Sequence, residues 1–180
     1  MTKTLMAAAL MTLLVVAPAR AAQSDNLQMF RSVQKQVLQY PYYSVFDSVS
    51  AQVNGGAITL VGKVTMPYKK SDIEKRVAKI PGVTSVDDRI EVLPVSRFDD
   101  ELRARIARAI YGNSMFYGYG SMVNPPIHVI VDRGHVTLEG VVNSEVDKAL
   151  ARSIASNFTA FSLKNELKTE AEAKAELEKL

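Results

Sequence analysis

Cysteine is absent from the 180 residues, and histidine occurs only twice. Without thiols there is no disulfide, no thiolate nucleophile, no cysteine-based zinc site and no residue to carry a lipoprotein anchor. His128 and His135 do not stand with a carboxylate at a recognised metal spacing, so both are expected at the surface without chemistry. No Gly-x-Ser-x-Gly motif is present, and Gly118-Tyr119-Gly120 lacks the lysine or third glycine of a phosphate loop. No catalytic residue, metal or cofactor is therefore expected. Excess charge of one sign is also missing, since 22 Lys and Arg face 19 Asp and Glu for a formal net charge of +3. Long-range attraction to nucleic acid has little to work with.

A leader comes first. Lys3, an apolar run from Leu5 to Ala17 and the small residues of Ala19-Arg20-Ala21 are the three parts of a secretory signal peptide over residues 1–21, with cleavage near Ala21. The run falls short of the roughly 20 apolar residues that span a bilayer, which disfavours an uncleaved anchor. Removing Lys3 and Arg20 with the leader brings 22 basic residues down to 20 against 19 acidic ones. The sequence thus predicts an exported, near-neutral, periplasmic chain.

What the chain does contain is a repeat. Displacing it by 78 residues lays Val53–Val64 on Val131–Val142, with identity at 53/131, 56/134, 59/137, 60/138, 62/140 and 64/142. Each copy opens with apolar residues at helical spacing, Phe30, Val33 and Val37 in one and Leu102, Ile106, Ala109 and Ile110 in the other. Ser96 or Asp99 can cap the second helix, whose first turn holds Asp99, Asp100 and Glu101. Period-two alternation follows at Val49, Ala51, Val53 and at Ile127, Val129, Val131, then a glycine-bearing turn and a second strand. Gly56 and Gly134 recur, so the positive φ is expected at the last turn residue, with a type I turn and glycine bulge. Gly62 and Gly140 predict a bulge or the close approach of the next helix. That helix is marked by Ile73, Val77, Ile80 and by Val146, Leu150, Ile154, and a last strand by Val86, Ile90, Val92 and by Leu163, Leu167. The predicted architecture is α+β: two tandem αββαβ units over residues 27–94 and 98–169, each a three-stranded mixed sheet covered by two helices. Units of this size have small cores, and the linker Leu93-Pro94-Val95-Ser96-Arg97 is short, so a packed pair is expected.

Ile58-Thr59-Leu60-x-Gly62-x-Val64 followed by Gly82-Val83-x-x-Val86, and Val136-Thr137-Leu138-x-Gly140-x-Val142 followed by Asn165-Glu166-Leu167, resemble the BON domain, named for bacterial osmotic-stress and nodulation proteins. The resemblance covers residues 27–169. Copy one departs from it with Asp88 for the usual Asn; copy two has Thr159-Ala160 for Gly-Val and extra residues between Tyr117 and Pro126. What the resemblance implies is a non-enzymatic module that binds phospholipid or the cell-envelope surface under osmotic or envelope stress. It supplies no catalytic residue.

The candidate contacts to anionic phospholipid are Arg103, Arg105 and Arg108, with Phe116, Tyr117 and Tyr119 beside glycines in an expected exposed loop. The competing expectation pairs Asp99 with Arg103 and Glu101 with Arg105 along a solvated helix, and the same aromatics, with Tyr40, Tyr42, Tyr43, Phe46 and Tyr111, would equally suit a seam between packed units. A protein partner is the alternative to a membrane. Residues 170–180 form a charged helical tail, with Thr169 and Glu172 spaced as a capping box and Glu170 four residues before Lys174.

Overall fold

The computed structural model describes residues 17–178, so the expected leader lies outside the described residues except for 17–21. The first unit runs α1 (Ala17–Leu38), β1 (Ser48–Asn54), β2 (Ala57–Val64), α2 (Pro67–Val77) and β3 (Ser85–Val92). The second runs α3 (Arg97–Tyr111), a 3-10 turn (Ser114–Phe116), α4 (Tyr117–Gly120), β4 (Ile127–Asp132), β5 (His135–Val142), α5 (Glu145–Ala155) and β6 (Ser162–Thr169), and α6 (Glu170–Leu177) follows. Each sheet is an antiparallel hairpin with a third strand added parallel to its middle strand, in the orders β1-β2-β3 and β4-β5-β6. This is the predicted α+β arrangement of two mixed sheets with helices.

Apolar residues at helical and strand spacing converge in each unit. Val33 and Val37 of α1 meet Ile58, Leu60 and Val64 of β2 and Ile73 of α2; Ile106 and Ile110 of α3 meet Val129, Leu138 and Leu167. Helix α5 differs from the expected stripe. Val146 is 66% exposed because it stands in the first turn, just past the Ser144 cap, as does exposed Tyr68 in α2. The inward residues of α5 are Leu150, Ala151, Ile154 and Ala155.

The expected positive φ at the last turn residue holds for Gly134 and not for Gly56, and the close approach expected at Gly62 and Gly140 comes from a different element. The hairpins have two-residue turns, Gly55-Gly56 and Arg133-Gly134, with no glycine bulge. Positive φ falls on Gly55 at 59°, and on Arg133 at 52° and Gly134 at 79°. Gly56 is required by crowding instead: a Cβ there would lie 2.5 Å from the Gly82 carbonyl oxygen, and one at Gly134 would lie 2.7 Å from the Phe161 ring. The carbonyls of these two glycines accept from Thr84 N at 2.8 Å and Phe161 N at 2.9 Å, so the same bond anchors the last strand in both copies despite Thr159-Ala160. Gly62 and Gly140, at φ 134° and 122°, are approached by neighbouring strand backbone and not by the following helix. A Cβ would overlap the carbonyls of Ser48 and Pro126.

The departure at Asp88 is likewise compensated. Asn165 donates from Nδ2 to the Lys148 carbonyl at 3.0 Å, tying β6 to α5. Asp88 cannot donate, and Lys70 of α2 reaches down to the Ile90 carbonyl at 2.6 Å in its place.

The two units pack through the segment between α1 and β1. Val45 offers its carbonyl to Val129 N at 2.7 Å on the edge of the second sheet, and Val45 and Phe46 pack on the second core. Tyr43 lies 5.5 Å from the His128 ring, so His128 is a seam residue and not the surface one expected. Lys63 pairs with Asp132 at 2.7 Å and Ser48 donates to Glu139 at 2.5 Å across the same seam. Asp47, fully buried, pins the segment: its carboxylate accepts from Ser44 N and Oγ, Thr65 N and Oγ1, and Lys69 Nζ at 2.6 Å. Burial alone would raise its pKa, but the bonds from Lys69, Thr65 and Ser44 outweigh it and hold the carboxyl below the ordinary range.

Candidate functional site

Helix α3 is capped by Ser96, whose hydroxyl accepts from Asp99 N at 3.2 Å. Its apolar stripe of Leu102, Ile106 and Ile110 is buried, which turns Phe98, Glu101, Arg105 and Arg108 outward at i, i+3, i+7 and i+10. The expected pairing of Glu101 with Arg105 does not form, because Glu101 is held by Arg97 at 3.0 Å. Among the described residues neither Arg105 nor Arg108 has a carboxylate at ion-pair distance. Arg105 instead spreads over the Phe158 ring, 5.3 Å from its centroid.

Arg103 is corrected from a candidate contact to a buried strut, only 3% exposed. Its Nε donates to the Asp99 carbonyl and its Nη2 to the Val131 carbonyl, both at 3.2 Å, which bolts α3 to β4. The Asp99 carboxylate, expected to serve the helix dipole and Arg103, accepts from Arg133 N at 2.9 Å and Gly134 N at 2.8 Å. A turn with two left-handed residues leaves its amides pointing together, and Asp99 satisfies both.

Phe116 and Tyr119 are also corrected. Both are buried in the second core, their rings stacked at 5.8 Å. Tyr119 accepts from Asn143 N at 2.8 Å and donates to Asp147 at 3.0 Å, and burial raises its hydroxyl's pKa. Tyr117 remains at the surface, 77% exposed, next to exposed Met115.

The six candidate side chains are therefore not one surface. Arg105 and Arg108 share the outer face of α3, Tyr117 follows its C-terminal end, and the other three are core. Phe98, Phe158 and Phe161 were not singled out from the sequence. Phe98 was detectable seven residues before Arg105, whereas Phe161, 80% exposed, gave no periodic signal. Guanidinium groups without carboxylate partners, beside exposed rings, can take phosphate oxygens while apolar groups enter the boundary above them. The described residues contain no cluster of metal ligands and no helix long and apolar enough to cross a membrane.

Among solved structures, a chain of CdsD, a structural protein of the type III secretion system of Chlamydia trachomatis, is 15% identical and covers 84% of this chain and 97% of its own, with a TM-score of 0.31. A second CdsD structure, of its C-terminal domain, is 14% identical over 81% of this chain and 98% of its own, with a TM-score of 0.29. No curated protein matches. The BON domain profile matches residues 31–94 and again 99–171, each span running from within the first helix of one αββαβ unit through its last strand, and the chain belongs to the BON domain family.

Proposed function

We propose that this protein is a non-enzymatic, exported envelope module whose second unit binds anionic phospholipid surfaces through α3. The observation that carries the proposal is the outward face of α3, where Arg105 and Arg108 lack carboxylate partners among the described residues. Exposed Phe98 lies on the same face, and exposed Met115 and Tyr117 follow the helix. Each basic group near an anionic membrane contributes about 1 kcal/mol, so two arginines give weak, salt-sensitive attachment to which the rings add a salt-insensitive part. Export follows from the leader. Among the described side chains of α1 the first buried one is Val33, well beyond the expected cleavage near Ala21.

Co-sedimentation with phosphatidylglycerol and phosphatidylcholine vesicles over a salt series tests the proposal. Binding to the anionic vesicles that weakens in part with salt and is lost in R105E/R108E supports it; absence from both pellets defeats it. A protein-binding role is favoured by one feature of the first unit, where Tyr42 and Tyr68 are both exposed with rings 6.0 Å apart and Met66 nearby in sequence is also exposed. Retention of a partner by the wild type and its loss in Y42A/Y68A, without vesicle binding, would support that role.

A further inference from the structure

A cleft of about 940 Å³ lies between the units, within the ~300–1,000 Å³ range of small-ligand sites. Phe30, Val37 and Val49 of the first unit and Pro126, Val141 and Leu167 of the second give it apolar walls. Two observations distinguish it from loose packing. His128 lines the cleft, and its buried Nδ1 has no hydrogen-bond partner. Burial also lowers the His128 pKa. Lys148 and Lys168 also line the cleft, and both are already answered by the tail helix: Lys148 Nζ lies 3.0 Å from Glu172, and Lys168 Nζ lies 2.5 Å from Glu176. Ala173 and Leu177 of the same helix line the cleft beside them.

Helix α6 thus brings to this site the chemistry the site receives, carboxylates for the two lysines and aliphatic groups for the walls. It has no buried residue, and a helix of eight residues has little stability of its own. We propose that the cleft binds a single-chain anionic amphiphile, its acyl tail along the apolar walls and its headgroup on Lys148 and Lys168, and that α6 is the displaceable lid. The headgroup competes with Glu172 and Glu176 for the lysines, so binding loosens α6. This site is separate from the outer face of α3.

Fluorescence titration of the purified protein with cis-parinaric acid, challenged with myristate and with the cation of equal chain length, tetradecyltrimethylammonium, tests the proposal. The expected result is saturable binding of one parinarate per chain, displaced by myristate and not by the cation. Filling the cleft from either wall, in A51F or V141W, weakens binding at least tenfold while circular dichroism stays native; two walls are used because either variant alone could misfold. E172Q/E176Q, which removes both tail carboxylates, leaves Lys148 only Glu145 at 3.7 Å and keeps a capping-box residue at position 172, tightens binding by about threefold, the scale of one or two exposed ion pairs. R105E/R108E leaves it unchanged, so a failure here and a failure of the vesicle proposal are separate results. Absence of saturable binding, equal displacement by the cation, or indifference to both folded filling variants overturns the proposal. So does parinarate-independent binding of an added peptide with the sequence of residues 169–180, which would make the cleft a peptide site.

Discussion

Replacing Asp47 with Asn keeps the side chain's shape and removes its charge. One carboxylate oxygen accepts from Thr65 N and Oγ1, and the other from Ser44 N, Ser44 Oγ and Lys69 Nζ. An amide must present its NH₂ to one of these donor sets, and Lys69, itself only 6% exposed, is left without a counter-charge. Breaking a buried pair from one side costs about 3–5 kcal/mol. For a protein of this size that is a fall in Tm of roughly 6–20 °C. Lys69→Met should cost less, because the four bonds from Ser44 and Thr65 still satisfy the carboxylate. The pH dependence has a definite sign. The folded pKa of Asp47 lies below its unfolded value, so its ionised form stabilises the fold above about pH 4 and that contribution disappears as pH falls through the lower folded value. D47N should therefore flatten the acid limb of the stability profile. Urea unfolding followed by circular dichroism between pH 3 and 8 measures all three effects. A D47N variant within about 1 kcal/mol of wild type, or K69M costing more than D47N, would refute the reasoning.

Gly140→Ala should destabilise by more than the ~1 kcal/mol typical of a point mutation, because the new Cβ meets the Pro126 carbonyl at a φ of 122°; thermal melting measures it, and a neutral result would mean β4 can shift. Tyr119→Phe leaves Asn143 N without its acceptor at 2.8 Å and should cost about 1–3 kcal/mol in urea unfolding. Phe116→Ala, at a fully buried position, should cost about 3–5 kcal/mol, whereas Tyr117→Ala should leave unfolding unchanged and lower only vesicle binding.

Much of the fold was legible because it is periodic and written twice. Val53, Leu60 and Val64 and their partners 78 residues on show which strand faces are buried without any structure. Side chains that act across the chain left no such trace. Asp47 reads as an ordinary loop aspartate, since Thr65 and Lys69 lie 18 and 22 residues away. Arg103 looks like its neighbours Arg105 and Arg108; only the position of β4 decides that it points inward to the Val131 carbonyl. Phe116 and Tyr119 were misjudged for a physical reason. Adjacent glycines suggested an exposed loop, but an insertion rich in large apolar rings lowers its free energy by burying them.

The same place in the two copies has been put to opposite uses, and this explains why the pair is asymmetric. After the first helix of the first unit, Val45 and Phe46 reach outward: Val45 bonds to the β4 edge and Phe46 joins the neighbouring core. After the first helix of the second unit, the corresponding stretch turns inward and puts Phe116 and Tyr119 into its own core. One connection couples, the other closes. Closure also leaves Met115 and Tyr117 outside, next to the end of α3, because a stretch with Phe116 and Tyr119 facing in turns its intervening residues out. The inward turn of this stretch therefore also places exposed apolar groups beside the arginine-bearing helix.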